Sequence, residues 1–394
     1  MAIILFDGNA HQTLLPLTYT RPVANLRLGI LTIAEKWGKH LKSDFSYHTQ
    51  AYLSTKFPQK IEAENLFING AACPDENLLE AIDKLKNGEA LRYQDQLIAV
   101  KLTEGDAKSF DPQKTFDHSI EYSSEIVLIK YPEDIFRRND IELRKDFKLL
   151  TNGRTSASIS STNTIIGAEF FAEEGAIADC STFSTNNGPI YLGSNTEVWE
   201  GTNVRGAFAL CNNSQVKMGA KIYGATTVGP YCRVGGEINN AVIWGYSSKG
   251  HEGYLGNAVL GEWCNIGADT NNSNLKNNYA EVKLWDYGLQ RFRKTGLQFC
   301  GLIMADHAKC AINTMFNTGT VVGVGSNIFG AGFPRNYVPD FSWGGAQGYE
   351  VYSLAKMYET TAKVFERRDH RNFDEVEKNI LAEIFKLTEE YRRF

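Results

Sequence analysis

The chain is short of several things. Among 394 residues there are ten prolines and five methionines, and the seven cysteines (73, 180, 211, 232, 264, 300 and 310) are odd in number with no C-x-x-C pair. That spacing indicates neither a disulfide framework nor a zinc knuckle, so the thiols are expected as small buried apolar groups and no metal-ligand set is assigned. No uncharged apolar run reaches the ~18 residues needed to cross a bilayer, and the opening Met1–Phe6 run lacks the basic flank and length of a signal peptide. A cytoplasmic protein with no membrane partner is expected. A sustained basic stripe is also missing: 41 Lys and Arg against 46 Asp and Glu leave a formal charge of -5, which argues against nucleic acid as a partner.

What is present is an internal repeat. Leu192, Val198, Val204, Leu210, Val216, Ile222, Val228 and Val234 fall six residues apart. A second ladder follows at Met304, Cys310, Phe316, Val322 and Ile328, with Leu260 and Ile266 keeping the spacing between them. Six is not a helical period, whereas short strands joined by tight corners suit it. Three hexads make a triangular coil of about 18 residues whose aliphatic side chains stack inward at roughly the 4.8 Å interstrand spacing. Asn212, Asn213, Asn239 and Asn240 suit corners that need positive φ. The coils are expected from about residue 156 to 335, with an inserted loop between about 270 and 300.

The flanks differ in kind. Residues 1–155 carry no such ladder and mix β-rich runs (Ile3–Phe6, Ile126–Ile129) with helical stretches such as Asn77–Lys86, which predicts an α/β domain. The coiled region then spans 156–340. From 341 to 394, apolar residues at helical spacing (Leu354, Met357, Val364; Val376, Ile380, Ile384, Leu387) predict two amphipathic helices that pack on the coil or on a neighbouring subunit.

The sharpest local signal is Ser248-Lys249-Gly250-His251-Glu252-Gly253-Tyr254-Leu255-Gly256, running into Asn265-Ile266-Gly267-Ala268. The ladder resembles the hexapeptide-repeat acyltransferases, which implies a left-handed parallel β-helix. The His251–Ala268 stretch resembles the glucosamine-1-phosphate N-acetyltransferase site of GlmU-type enzymes. That resemblance implies His251 as general base and Tyr254 and Asn265 as acceptor contacts. Chemically this suits the reaction, because an amine is protonated near neutral pH and an imidazole, titrating at about 6.5, can take its proton. Asn274-Leu275-Lys276 and Glu281-Val282-Lys283 are similar to the archaeal form and carry over Asn274 and Lys283 as acceptor-binding residues. Lys221 matches a phosphate-clamping Arg. Asn239 and Ala280 stand where relatives carry lysines, with Arg205 and Arg233 as alternative cations.

The same resemblance implies acetyl-CoA as co-substrate, lined by Ala268, Ala311 and Gly330, with Lys309 and Arg335 as candidate phosphate partners. The Ala268 backbone N–H is the implied oxyanion donor. His307 is the rival base. A homotrimer is implied, since family sites lie between neighbouring β-helices.

At the start, Asp7-Gly8 followed by Leu14-Leu15-Pro16-Leu17-Thr18 and Arg21-Pro22 looks like the opening of the sugar nucleotidyltransferases. With Gly29-Ile30-Leu31 it resembles an alternative bacterial GlmU-like form in which such a domain is fused to the N-acetyltransferase. Asp7, Gly8 and Arg21 are the implied nucleotide contacts, and Asp7 or Asp75 the implied Mg2+ ligands. The leading expectation is acetyl transfer to an amino-sugar 1-phosphate coupled to uridylyl transfer. The alternative is a glucose-1-phosphate thymidylyltransferase-like enzyme, using UTP or dTTP, with a structural β-helix.

Overall fold

In the computed structural model, residues 1–369 and 372–394 are described; residues 370 and 371 of the expected C-terminal helical segment lie outside them. The chain forms two compact units, one of Met1–Leu26 with Leu31–Tyr131, the other of Arg27–Ile30 with Pro132–Phe394.

The first unit is built on a six-stranded mixed sheet of β1 (Ala2–Phe6), β2 (Phe45–His48), β3 (Glu64–Asn69), β4 (Glu89–Tyr93), β5 (Gln96–Thr103) and β6 (His118–Glu121), in the order β2-β1-β3-β5-β4-β6. The apolar run of β1 is buried at every position and pairs in parallel with both neighbours, as an unbroken hydrophobic run in a central strand should. Helix Ile33–Leu41 starts at a Thr32–Glu35 capping box, and helix Glu76–Asp83 at Asp75, whose carboxylate accepts the Leu78 N–H. Ile126–Ile129, expected as a strand, is not one: Leu128 makes only an isolated bridge to Ala72. Four apolar residues supply the propensity but find no neighbouring strand to continue the ladder.

The second unit is a parallel β-solenoid of about ten turns. Its three faces are those set by the six-residue ladder. On the first, Ala172, Leu192, Leu210, Val228, Ile243, Leu260, Met304, Val322 and Val338 stand in register. The second carries Ala178, Val198, Val216, Val234, Lys249, Ile266, Cys310, Ile328 and Gly344 at equivalent places. Ile165, Phe183, Val204, Ile222, Ile238 and Leu255 make the third. Nearly all of these side chains are buried in one continuous core. The expected insertion is there, and it contains a hairpin of Lys283–Asp286 against Arg291–Lys294.

One corner of the coil is left-handed turn after turn. Asn195, Asn213, Tyr231, Tyr246, Trp263 and His307 all have φ between 55° and 64°, and Asn240 adopts positive φ at another corner. The rings stack where asparagine gives way to aromatics: Tyr231 on Tyr246 at 5.1 Å, Tyr246 on Trp263 at 4.1 Å, Trp263 on His307 at 6.3 Å. Phe365 of helix Leu354–Asp369 closes the stack at 4.1 Å from Trp263. The second C-terminal helix is Glu375–Leu387, so both expected amphipathic helices form.

Helix Pro132–Thr151 packs on the solenoid through polar groups. Asn139 donates to Ala225 O and accepts from Gly29 N–H and the Thr227 hydroxyl, while Asp146 accepts from Ile30 N–H. A Cβ at Gly29 would lie 2.4 Å from an Asp146 oxygen, so only glycine fits there. Of the cysteines, six are buried as expected, but Cys180 is exposed because it occupies a coil corner rather than an inward position.

Candidate active site on the solenoid

The conspicuous sequence stretch begins with an anomaly in the inward column. Lys249 occupies the slot held by Val234 one turn earlier and Ile266 one turn later, and it is 2% exposed. An ammonium in an apolar core needs hydrogen-bond acceptors, and it has two: Nζ donates to Gly235 O at 2.9 Å and to His251 O at 2.7 Å. Burial pushes the amine down to about 8. The lysine thereby ties the corner carrying His251 to the corner of the preceding turn. Gly236 completes the fit; a Cβ on it would stand 2.7 Å from His251 O and 2.9 Å from Glu252 Cα, at a φ of +70°. His251 itself is exposed on this pinned corner.

Around it the third face gathers polar groups. The Tyr254 hydroxyl accepts from Asn274 Nδ2 at 2.9 Å and from Asn239 Nδ2 at 3.4 Å. Asn274 Nδ2 also donates to Asn257 Oδ1 at 2.7 Å, so both of its amide protons are used. The Tyr254 ring lies over Gly256, where a Cβ would come within 2.2 Å of the hydroxyl. Asn271 and Asn272 hold the strand from the next turn, accepting the N–H of Tyr254 and Gly256 respectively. Lys221 reaches Glu252 at 3.5 Å, next to His251. Because the phenol oxygen accepts two N–H bonds, its own proton is directed elsewhere, toward a ligand or solvent.

Of the residues singled out from sequence, His251, Tyr254, Asn274 and Lys221 therefore fall in one neighbourhood, and Asn239 joins them. The others lie elsewhere. Asn265 is exposed on the second face, in register between Ser248 and Lys309. Lys283 is exposed on the inserted hairpin opposite Lys294, and among the described residues no hydrogen bond or ion pair joins its side chain to Tyr254 or Asn274. Ala268 sits at the corner after Ile266, its carbonyl accepting Asn313 N–H. Ala311 packs beneath Gly267, and its carbonyl accepts the Thr270 and Thr314 hydroxyls. Gly330 is exposed and has a φ of +99°; Arg335, nearby in sequence, is exposed as well. Arg205 donates to Asn187 on an earlier turn. His307 is buried beside the stacked rings of Trp263 and Phe365, which suits packing rather than contact with a substrate. Lys249 was missed, although its place midway between Ile243 and Leu255 on the ladder is visible in the sequence.

In the first unit, Asp7 is 3% exposed. Its carboxylate accepts Val23 N–H at 2.7 Å and the Thr49 hydroxyl, with His11 Nδ1 3.5 Å away. Asp75 is engaged as a helix cap. A Mg2+ site keeps several waters on accessible carboxylates, and among the described residues no group of three or more His, Cys, Asp or Glu could hold a metal. These residues do not fit the ion. Gly8 adopts φ +52°, and Arg21 is buried.

Residues 3–155 match the family model described as sugar nucleotidyl transferase. No curated protein matches the chain. Among solved structures, the chain is similar to the UDP-N-acetylglucosamine acyltransferase of Francisella novicida at 13% identity, covering 60% of this chain and 79% of that one with a TM-score of 0.31. It is similar also to the polySia-specific acetyltransferase NeuO (12% identity, 52% and 99% covered, TM-score 0.29) and to the UDP-N-acetylglucosamine acyltransferase of Arabidopsis (14%, 60% and 81%, TM-score 0.23). Scores this low bear on neither substrate nor residue roles. Among the described residues no helix is long and apolar enough to cross a membrane.

Proposed function

We propose that the solenoid unit is an acetyl-CoA-dependent N-acetyltransferase acting on an amino-sugar 1-phosphate, glucosamine 1-phosphate being the first candidate. The observation that carries this reading is the exposed His251 corner, pinned from inside by Lys249 and flanked by the Tyr254–Asn274–Asn239 cluster and Lys221. An enzyme that transfers acyl groups to an amine needs a base at an open surface, donors for hydroxyls and a cation for the phosphate.

In this reading the His251 imidazole removes a proton from the acceptor ammonium. The freed nitrogen lone pair attacks the thioester carbonyl, whose oxygen takes up negative charge beside the Ala268 backbone N–H. The C–S bond then breaks, the second proton that the attacking nitrogen must shed passes to the sulfur, so that CoA leaves as thiol, and the sugar retains the acetyl group as an amide. Tyr254 and Asn274 orient the sugar, and Lys221 lies near the phosphate. Ala311 and Gly330 line the donor's path, and a homotrimer supplies the facing wall. Asn265 and Lys283, which lie apart from the cluster within one chain, take part only through such a neighbour.

The first unit contributes sugar-1-phosphate uridylyl transfer from UTP in the cytoplasmic synthesis of a UDP-N-acetyl sugar or, in the alternative reading, thymidylyl transfer from dTTP to give the dTDP sugar. What supports this second activity is the family match of residues 3–155. Free-thiol release from acetyl-CoA, with and without glucosamine 1-phosphate, tests the first activity; absence of acceptor-dependent release ends it. Pyrophosphate release from UTP or dTTP with a sugar phosphate tests the second separately.

A further inference from the structure

The outward positions of the second face form a column of their own. Arg233, Ser248, Asn265 and Lys309 hold the same register place on four successive strands. At ~4.8 Å per strand, their backbones span roughly 14 Å. Helix Leu354–Asp369, anchored where Phe365 stacks on Trp263, brings Arg367 and Arg368 opposite this column. Between them lies a cavity of about 430 Å³.

Its chemistry is one-sided. Four of its lining side chains are cationic, Arg233, Lys309, Arg367 and Arg368, and no Asp or Glu lines it among the described residues. Among the described residues, Arg368 Nη1 is buried without a hydrogen-bond partner. Burial, then the neighbouring Arg233 and Arg367, holds the Arg368 guanidinium below its usual range, and burial lowers the Lys309 amine to about 8. Like charges gathered this closely, one of them with an orphaned donor, are costly unless something negative joins them. Trp263 cannot offer a face to a base, because Tyr246 covers one side and Phe365 stacks on it as well, both at 4.1 Å. Charge, not stacking, must do the recognising.

We propose that this cavity binds a small molecule through a diphosphate or a pair of phosphoryl groups, held between Arg233 and Lys309 on the solenoid column and Arg367 and Arg368 on the helix, with Ser248 and Asn265 as neutral donors. Two or more negative charges are needed because a single carboxylate would leave most of the four cations unmatched, and guanidinium groups fit phosphoryl oxygens in bidentate geometry. The inference is argued from the cavity; with coenzyme A as occupant it rests on the acetyl-transfer reading, in which Lys309 is a candidate phosphate partner, whereas pyrophosphate binding tests it apart from that reading. Two sources share the chemistry: the phosphates of coenzyme A, and the diphosphate of a nucleotide sugar or of released pyrophosphate.

Titration calorimetry on the full chain at low salt, with inorganic pyrophosphate, coenzyme A and a uridine diphosphate sugar in turn, tests it. Binding of at least one is expected, weakened at least about tenfold by Arg368→Gln and by Lys309→Gln, since a charge-assisted hydrogen bond is worth roughly 1.5–3 kcal/mol. Lys363→Gln, on an exposed position of the same helix, is expected to leave it unchanged. Arg367→Gln keeps the test sound should Arg368→Gln disturb the helix, because Arg367 is exposed. Tightest binding of coenzyme A assigns the first source, and tightest binding of the diphosphates the second. No binding of any of the three, or binding equal in wild type and all cavity variants, overturns the proposal.

Discussion

The two units treat their sequence-predicted polar residues in opposite ways. In the solenoid, the inward column carries the core, so residues at corners and outward places are left over for chemistry, and His251 is exposed. In the first unit, Asp7 and Arg21 are buried, and both carboxylate oxygens of Asp7 are spent on its own fold. A periodic backbone separates structural from functional positions by register; an irregular α/β loop lets one side chain be claimed by both. The sharpest way to break this comparison is to remove one residue of each kind. His251→Ala is expected to lower acetyl transfer by about 10^2–10^4, the usual worth of a general base, while the melting temperature stays put. Asp7→Ala is expected to do the reverse, costing about 1–3 kcal/mol of stability by stranding buried donors. Paired melting curves and initial rates check both, and an unchanged rate in the first variant would end the base assignment.

Within the solenoid, the contrast between inward and outward positions predicts its own difference. Leu210→Ala, in the inward column of the first face, is expected to cost about 2–5 kcal/mol. Lys221→Ala, an outward position whose ion pair with Glu252 is half exposed, is expected to cost less than about 1 kcal/mol. Denaturant unfolding compares them directly; equal costs would mean that register does not divide the roles.

Lys249 is the exception to that division, an inward residue that serves the surface. Its amine falls to about 8 in the folded chain, against about 10.4 for an unfolded lysine. Between those two values the unfolded chain binds more protons than the folded one, so stability rises with pH across the window. The gain is at most about 3 kcal/mol. Below pH 8 both forms are protonated and the burial cost is present in full. Lys249→Met, which fills the slot without charge, is expected to remove the Lys249 share of this rise, leaving that of Lys309, whose amine burial also lowers to about 8, and to be at least as stable near neutral pH. Because it also releases His251 O, it is expected to slow acetyl transfer. Unfolding measured from pH 7 to 10.5 in both proteins gives the answer, and a parallel pH dependence would remove the buried amine as its cause.

Much of this was legible in the sequence. A spacing of six resolves which side chain points inward, and the structure keeps that phase from Leu192 to Val234 and again from Met304 to Ile328. The corner at Val234–Ile238 breaks the count, since a turn there is shorter, which is why the outward partners of Lys249 were not seen. Asn239 was read as a missing lysine, but strand pairing with Gly256 sets it beside the Tyr254 hydroxyl. Asn265 was grouped with Tyr254 by motif; register puts it on a different face, beside Lys309. In the first unit no period exists to say which face a residue takes, so Ile126–Ile129 was read as a strand and Asp7 as a ligand.

The smallest effect tests the cluster most finely. Tyr254 holds its place by ring packing over Gly256 and by accepting from Asn239 and Asn274. Tyr254→Phe keeps the ring and removes the oxygen, so two amides lose an acceptor and a ligand loses a donor. A net hydrogen bond of about 0.5–1.5 kcal/mol corresponds to roughly a two- to thirteenfold change. If the hydroxyl binds acceptor equally in ground and transition states, the loss appears in KM with kcat unchanged. A fall in kcat instead would mean that the bond strengthens as the amine attacks, and would move Tyr254 from holding the sugar to helping the reaction. No change in either constant would leave the Tyr254–Asn274–Asn239 cluster as part of the coil's structure alone, and the acceptor would have to be sought on another face.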